Sequence, residues 1–181
     1  MTKTTISGFT LTELMITIAL LSIVLAIAIP NLTLFLNQTR LKGIAENLAQ
    51  DLVFARSEAI RTNKMVRLHV ESTCYGLSNK TTICDCTKTS PSDANFCEIK
   101  RVGSPSNVSF TKTSTSFDEI AFDPVRGLPL NKDGVSSLTT TQILDIEQSN
   151  VGKIKTSLSV IGSVCLSSSG TSKIAGYPNA C

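Results

Sequence analysis

A long uncharged apolar segment near the N-terminus limits what this chain can fold into. Residues 14–29 read LMITIALLSIVLAIAI and contain no charged side chain. With residues 9–13 they reach the roughly 20 residues that an apolar helix needs to cross a bilayer. Lys3 carries the only side-chain charge before residue 9, and Arg40 and Lys42 follow about ten residues after the apolar run, so the flanking charges give no clear orientation. The sequence predicts one membrane-inserted helix followed by a separate soluble part.

The residues ahead of this segment do not match an ordinary secretory signal, in which cleavage follows the apolar region at a small residue. Here Gly8 precedes the apolar region, so cleavage after Gly8 would leave Phe9 as the first residue of the mature protein. Glu13 would then lie about one helical turn from the new amine. A carboxylate at the edge of an apolar helix is costly and indicates a function or a partner. We expect Glu13 to pair with the Phe9 amine of its own or a neighbouring subunit.

This region resembles the type IV pilin signature. The resemblance rests on residues 8–14 (GFTLTEL), on the apolar run and on Pro30. It implies that a prepilin peptidase cuts after Gly8 and N-methylates Phe9, and that Glu13 guides subunits into a filament. A plain membrane anchor or uncleaved signal is the alternative, but it explains neither Gly8–Phe9 nor Glu13. We therefore expect a leader peptide at residues 1–8 and a transmembrane and assembly helix at residues 9–30.

The helical pattern continues beyond Pro30, where we expect a kink because proline removes a backbone hydrogen bond. Apolar residues recur at three- and four-residue steps from Leu41 to Ala59, which predicts an amphipathic continuation of the helix over residues 31–63. Asn63 is a plausible helix stop. The whole helix is expected to run from about Leu11 to Arg61.

The remaining residues, 64–181, predict a β-rich globular domain. Alternation marks residues 65–70 as the first strand. Weaker strand signals cover residues 99–102, 108–111, 119–122, 141–146 and 158–166. Asp123-Pro124 and Arg126-Gly127 mark a turn. The fold class is therefore α+β, with one or two antiparallel sheets.

This second part is similar to the GspH/FimT type of minor pilins and pseudopilins, which includes the FimU proteins. The similarity rests on residues 45–48 (AENL), 54–60 (FARSEAI), 66–68 (VRL) and 120–127 (IAFDPVRG). It implies a long helix on two small antiparallel sheets. It also implies the bacterial inner membrane as the first location, a single pass with a periplasmic C-terminal domain, and then the pilus at the cell surface.

Six cysteines follow the apolar segment, and an even number there is typical of disulfides in an oxidising compartment. They are Cys74, Cys84, Cys86, Cys97, Cys165 and Cys181. A zinc site made by the first four is the alternative, although their spacing lacks the usual C-x(2–4)-C pairs. A Cys84–Cys86 bridge would be strained, so each is expected to pair with Cys74 or Cys97. Cys165 and Cys181 would close a C-terminal loop, as in many pilins; the sequence alone leaves fifteen pairings open.

Nothing in the sequence indicates catalysis. His69 is the only histidine and has no partner visible in the sequence, and no nucleophile, phosphate-loop or metal motif is present. We expect no enzyme activity, cofactor, metal or small-molecule substrate.

Binding of DNA is a less favoured alternative. Some FimT proteins bind DNA through a Gly-Arg-x-Arg motif, and the matching place here is residues 169–173, where Thr171 and Lys173 replace both arginines. Lys153, Lys155 and Lys173 could form a weak phosphate contact.

The favoured interpretation is a FimU-like minor pilin that helps to prime a type IV pilus at its tip. Its expected partners are other minor pilins, the major pilin, the prepilin peptidase and, before assembly, inner-membrane lipid. A minor pseudopilin of a type II secretion system is the first alternative, and a DNA-binding minor pilin for natural transformation is the second.

Overall fold

The structure, a computed structural model, describes residues 8–113, 117, 119–169 and 173–181. It divides into two compact units, Met1–Leu36 and Asn37–Cys181. One helix, α1 (Leu11–Thr62), supplies residues to both units. Apart from Gly8, the expected leader lies outside the described residues. The helix continues through Pro30, and the kink expected there stays a prediction.

The C-terminal end of α1 is fixed by its capping residue. Asn63 adopts a left-handed conformation with φ of 52°. Its amide donates to the carbonyl of Ile60 at 3.4 Å, and the amide of Lys64 donates to the carbonyl of Ala59 at 3.3 Å. These two bonds form a Schellman motif, which asparagine can close because it tolerates positive φ. The prediction of Asn63 as the helix stop is confirmed.

Antiparallel strands form two sheets in the second unit. The strands assigned within the described residues are β1 (Val66–Val70), β2 (Cys74–Ser78), β3 (Lys100–Gly103), β4 (Val108–Lys112), β5 (Glu119–Phe122), β6 (Pro129–Leu130), β7 (Gln142–Gln148), β8 (Gly152–Leu158) and β9 (Val164–Ser169). The first sheet has the order β3-β2-β1-β5-β6, and the second has the order β4-β7-β8-β9. The α+β prediction with antiparallel sheets is confirmed.

The core of the second unit lies between the apolar stripe of α1 and the two sheets. Leu41, Leu48 and Leu52 of α1 are buried against residues of both sheets. The rings of Tyr75 on β2 and Phe110 on β4 meet edge to face, with centroids 5.7 Å apart. This contact joins the first sheet to the second, so the helix and both sheets share one core.

Four strands, β2, β6, β8 and β9, differ from the sequence expectation. β2 was not predicted, and all five of its residues are buried, so it shows no alternation. β6 was not predicted either, and it has only two residues. The single strand expected at residues 158–166 is wrong: β8 ends at Leu158, β9 begins at Val164, and a turn joins them as a hairpin. Gly162 in that turn has φ of 84°, which a continuous strand would not allow.

Candidate assembly site

The N-terminal part of α1 presents apolar side chains on all sides. Phe9 is 80% exposed, and the large apolar residues from Leu11 to Ile29 are exposed as well. Within the described residues, α1 is the one helix that is long and apolar enough to cross a membrane. An uncharged helix exposed all round is stable only in lipid or among other apolar helices. This part of the chain therefore needs a membrane or a helical partner.

The first turn of α1 is closed by a capping box that the sequence analysis did not identify. Thr10 stands at the N-cap, and its hydroxyl accepts a hydrogen bond from the Glu13 amide at 3.3 Å. In return, the Glu13 carboxylate accepts from the Thr10 amide at 3.5 Å. This reciprocal pair is the threonine-x-x-glutamate pattern of helix starts. The pattern is readable in the sequence, and it gives Glu13 a local role besides any role in assembly.

Glu13 is the only charged residue over a long stretch of this helix. No further charged side chain follows it until Arg40. It lies at the positive end of the helix dipole, which favours a carboxylate, and it is exposed. Since Phe9 directly precedes the N-cap residue Thr10, a new amine at Phe9 would fall within about one turn of this carboxylate. The arrangement provides an ion-pairing group at the start of the apolar N-terminal part of α1.

All six cysteines form disulfides, as the sequence analysis expected. The bridges are Cys74–Cys86, Cys84–Cys97 and Cys165–Cys181. The first two interleave along the chain and cross-link the segment between β2 and β3. Lys80 holds the same segment from within, because its ammonium donates to the carbonyls of Ala94 at 3.2 Å and Phe96 at 3.4 Å. The four sulfurs considered for zinc are thus bonded in pairs, and no cluster of metal-binding side chains occurs in the described part of the chain.

The lysines considered for DNA binding lie in different surroundings. Lys153 forms ion pairs with Asp145 at 3.6 Å and Glu147 at 3.3 Å. The hydrogen bond to Glu147 raises the pKa of Lys153, so the ammonium stays charged. Its positive charge is balanced by the neighbouring carboxylates. Lys155 stands opposite Asp145 in the β7–β8 register, and Lys173 is exposed. Residues 170–172 of the expected motif lie outside the described residues.

The face of the second sheet that carries Lys153 and Lys155 also carries Asp145 and Glu147, so its formal charges cancel. Affinity for nucleic acid depends on the number of phosphates that basic groups neutralise. A balanced face of this kind offers little attraction to a polyanion.

His69 has a partner that the sequence analysis did not foresee. Its Nε2 lies 3.0 Å from Oε1 of Glu71, two residues along the chain. His69 is half-buried on β1. An imidazole beside a single carboxylate provides a local hydrogen bond, and this pair alone lacks the nucleophile that a catalytic triad needs.

Comparison with protein families decides the assignment. The family model described as type II transport protein GspH matches residues 45–170. The prokaryotic N-terminal methylation motif matches residues 4–29, which include Gly8, Phe9 and Glu13. The chain belongs to the GspH family. It is a member of the type IV minor pilin and pseudopilin class and carries that class's N-terminal methylation motif.

One solved structure supports the fold of this GspH-family chain. The type IV minor pilin FimU of Pseudomonas aeruginosa strain PAO1, in one crystal form, aligns with a TM-score of 0.50 at 18% identity. The alignment covers 79% of this chain and 98% of that one. A second crystal form of FimU aligns with a TM-score of 0.47 at 17% identity, over 69% of this chain and 90% of that one. No curated protein matches the sequence. The pilin-like fold of this GspH-family chain, expected from its sequence, is thus confirmed.

Proposed function

We propose that this chain is a minor pilin that takes part in the assembly of a type IV pilus, in the complex that primes the filament and occupies its tip. The observation that carries the proposal is the exposed apolar helix with one carboxylate, Glu13, at its start. The pilin-like fold of the second unit supports it. The three disulfides suit a domain that works in the periplasm and outside the cell.

The charge of Glu13 supplies the main free-energy difference between the membrane state and the assembled state. An apolar helix that leaves lipid for a bundle of apolar helices gains little from the hydrophobic effect, since lipid tails are equally apolar. A charged side chain at the centre of a membrane helix costs about 2.5–3.5 kcal/mol on insertion scales, and an unpaired carboxylate nearer the end of the apolar segment, such as Glu13, carries a smaller cost of the same kind. Cleavage after Gly8 would create an amine on Phe9 that could neutralise Glu13 of its own or a neighbouring subunit. Only pairing between subunits is specific to the filament, and it is this pairing that favours the assembled state over the membrane state.

Partners follow from this mechanism. Before assembly the helix lies in inner-membrane lipid with the globular domain in the periplasm, and a prepilin peptidase processes the Gly8–Phe9 bond. After assembly the helix contacts the helices of other minor pilins and of the major pilin. The processed N-terminus is the amine that the mechanism requires.

The test combines mass spectrometry with fractionation in the native host. The mature chain is expected to begin at N-methylated Phe9 and to occur in sheared surface filaments, and deletion of its gene is expected to reduce piliation. Restoration by the wild-type gene controls for effects on neighbouring genes. Any other N-terminus would overturn the leader assignment, and normal piliation after deletion would overturn the role in assembly.

A minor pseudopilin of a type II secretion system is the second candidate, favoured by the family whose model matches residues 45–170. The same helix and fold would then serve an export pseudopilus in place of a surface fibre. The deletion strain separates the two candidates. Loss of extracellular enzyme secretion with intact surface pili would support the pseudopilin, and the reverse would support the pilin.

A further inference from the structure

We propose that a groove along one flank of α1 in the second unit binds a neighbouring subunit of the pilin class, and that Arg56 pairs with a carboxylate of that subunit. The inference rests on the proposed function and identifies the surface through which the globular domain selects its partner. A second copy of this chain is not the expected occupant.

The groove has an apolar lining and a volume of about 460 Å³. Ala49, Gln50, Val53 and Phe54 of α1 line it together with Val164, the first residue of β9. Val53 is 57% exposed and Phe54 is 43% exposed. A contiguous apolar surface next to a core marks a binding site more often than scattered exposed residues do. The groove is therefore open to an apolar side chain of a partner.

Arg56 lies one helical turn beyond Val53 and on the same flank of the helix. Its side chain is held between two turns. A β-carbon at Gly127 would fall 2.9 Å from its Cγ, and one at Gly162 would fall 3.3 Å from a terminal guanidinium nitrogen. Both glycines have positive φ. The two turns thus approach the arginine closely and fix its position.

The guanidinium of Arg56 has no hydrogen-bond or ion-pair partner among the residues that the structure describes. It is nevertheless half-buried, so part of its hydration is already lost. A positioned guanidinium of this kind favours a carboxylate, which it can bind through two parallel hydrogen bonds. Arginine beside apolar residues is also a frequent centre of binding energy in protein interfaces.

One helical turn before Ala49, the C-terminal segment packs on the same flank of α1. The hydroxyl of Tyr177 donates to Glu46 at 2.6 Å, and the ammonium of Lys42 lies 6.0 Å from the centre of the Tyr177 ring. Glu46, Ala49, Val53 and Arg56 follow one another at three- and four-residue steps, so they lie along one flank. Along this flank the polar pair of Tyr177 and Glu46 comes first, the apolar groove at Val53 follows, and the cation of Arg56 comes last.

The apolar lining of the groove and the neighbouring cation of Arg56 determine which partner surface fits it. A protein surface with an exposed apolar side chain and a carboxylate beside it would fill the groove and neutralise Arg56. A nucleic acid would require several cations where this groove offers one. In a filament the contact between neighbours is heterologous, meaning that a groove on one subunit meets a different surface on the next. A neighbouring subunit of the pilin class with that carboxylate is the occupant that fits.

The experiment places a photo-crosslinking amino acid, benzoylphenylalanine, at Val53 of the full chain in its native host. We expect a crosslink to another pilin-class subunit, mapped by mass spectrometry to an apolar side chain near an aspartate or glutamate. The same probe at Asn47, exposed and roughly 120° around the helix from Val53, is the control and should give at least tenfold less crosslink. Arg56→Glu should reduce the Val53 crosslink at least tenfold. Reversal of the partner's carboxylate to lysine should restore it.

The possible outcomes of this experiment test the groove assignment and the proposed function separately. A crosslink only to a second copy, equal yields from positions 47 and 53, or an Arg56→Glu variant that crosslinks normally would each overturn the groove assignment. Unchanged abundance and intact disulfides in Arg56→Glu would show that the variant folds; otherwise Arg56→Gln takes its place with the same expected direction. If the wild-type chain is found in filaments but position 53 captures no subunit, only the groove is wrong. If the wild-type chain never enters filaments, the proposed function itself is wrong.

Discussion

The hydroxyl of Tyr75 on β2 donates a 2.8 Å hydrogen bond to Oδ2 of Asp51 on α1, inside the core. The second oxygen of Asp51 accepts from the ammonium of Lys100 on β3 at 2.5 Å. Both Tyr75 and Asp51 are buried. A buried carboxylate is tolerated only when its oxygens have partners, and here two adjacent strands supply them. These contacts fix the rotation of the helix relative to the first sheet.

Replacement of Tyr75 by phenylalanine should destabilise the second unit by about 1.5–3 kcal/mol, because one oxygen of a buried carboxylate then lacks its donor. The ring and its contact with Phe110 are retained, so the loss of stability measures the contribution of the hydroxyl alone. Denaturant unfolding of the full chain in detergent would measure it. Tyr177→Phe is the matched control. Its hydroxyl also binds a carboxylate but near the surface, and it should cost less; an equal cost would contradict the account.

The two tyrosines of the chain should make it sensitive to alkali. Burial, and secondly the hydrogen bond to Asp51, raise the pKa of Tyr75 above its ordinary value of 10.0. Burial and the bond to Glu46 raise the pKa of Tyr177 in the same direction. The folded chain therefore keeps both protons at a pH where the unfolded chain releases them. This contribution to stability is complete below about pH 10 and is lost as the pH rises further.

Absorbance at 295 nm would follow tyrosinate formation while circular dichroism follows unfolding. The two changes should coincide above pH 10, since the chain has no other tyrosine. The double variant Tyr75→Phe, Tyr177→Phe should lose most of this pH dependence. Titration of both tyrosines near pH 10 in a chain that remains folded would refute the prediction.

Gly76 on β2 should tolerate no side chain. A β-carbon there would lie 2.3 Å from Sγ and 2.8 Å from Cβ of Cys97. Gly76→Ala should therefore destabilise the chain by about 1–3 kcal/mol as an overpacked core does, and it should lower the yield of the Cys84–Cys97 disulfide. Gly103→Ala on β3 is the control, because nothing lies within 4 Å of its β-carbon position. Non-reducing peptide mapping with unfolding would measure both, and equal behaviour of the two variants would argue against the clash.

Sequence periodicity predicted the helix well, because its buried stripe repeats at 3.6-residue spacing and Asn63 ends it. It missed β2, whose five buried residues do not alternate. It also missed β8, although Lys153 and Lys155 alternate there with the buried Ile154 and Thr156. The apolar Val160 and Ile161 lie in the turn that follows and concealed the hairpin.

The candidate sites could be predicted where their residues are neighbours along the chain, and could not where only the fold brings the residues together. Gly8, Phe9 and Glu13 are neighbours along the chain, so a short motif was enough to single them out. The Thr10–Glu13 capping box is equally local, and its threonine-x-x-glutamate pattern is readable in the sequence. The groove beside Arg56 could not be predicted, because Gly127, Gly162 and Val164 reach the helix only through the sheet topology.

Gly8→Val should block processing, since the peptidase is expected to need the small residue before Phe9. The precursor would then keep residues 1–8 and migrate more slowly in a gel. Because the Phe9 amine would never form, this variant should also fail to enter filaments. A chain of mature size from this variant would contradict the cleavage position.

Glu13 has two roles that a pair of variants can separate. Glu13→Gln keeps a side chain that can close the capping box with Thr10 but removes the charge, whereas Glu13→Ala removes both. If the charge guides assembly, both variants should be processed normally and both should enter filaments at least about tenfold less, since each loses more than the ~1.4 kcal/mol that a factor of ten represents. Quantitative immunoblots of cell and sheared-filament fractions would measure the ratio. Normal incorporation of Glu13→Gln beside a defective Glu13→Ala would assign the effect to the cap, because only the charge distinguishes the glutamine variant from wild type.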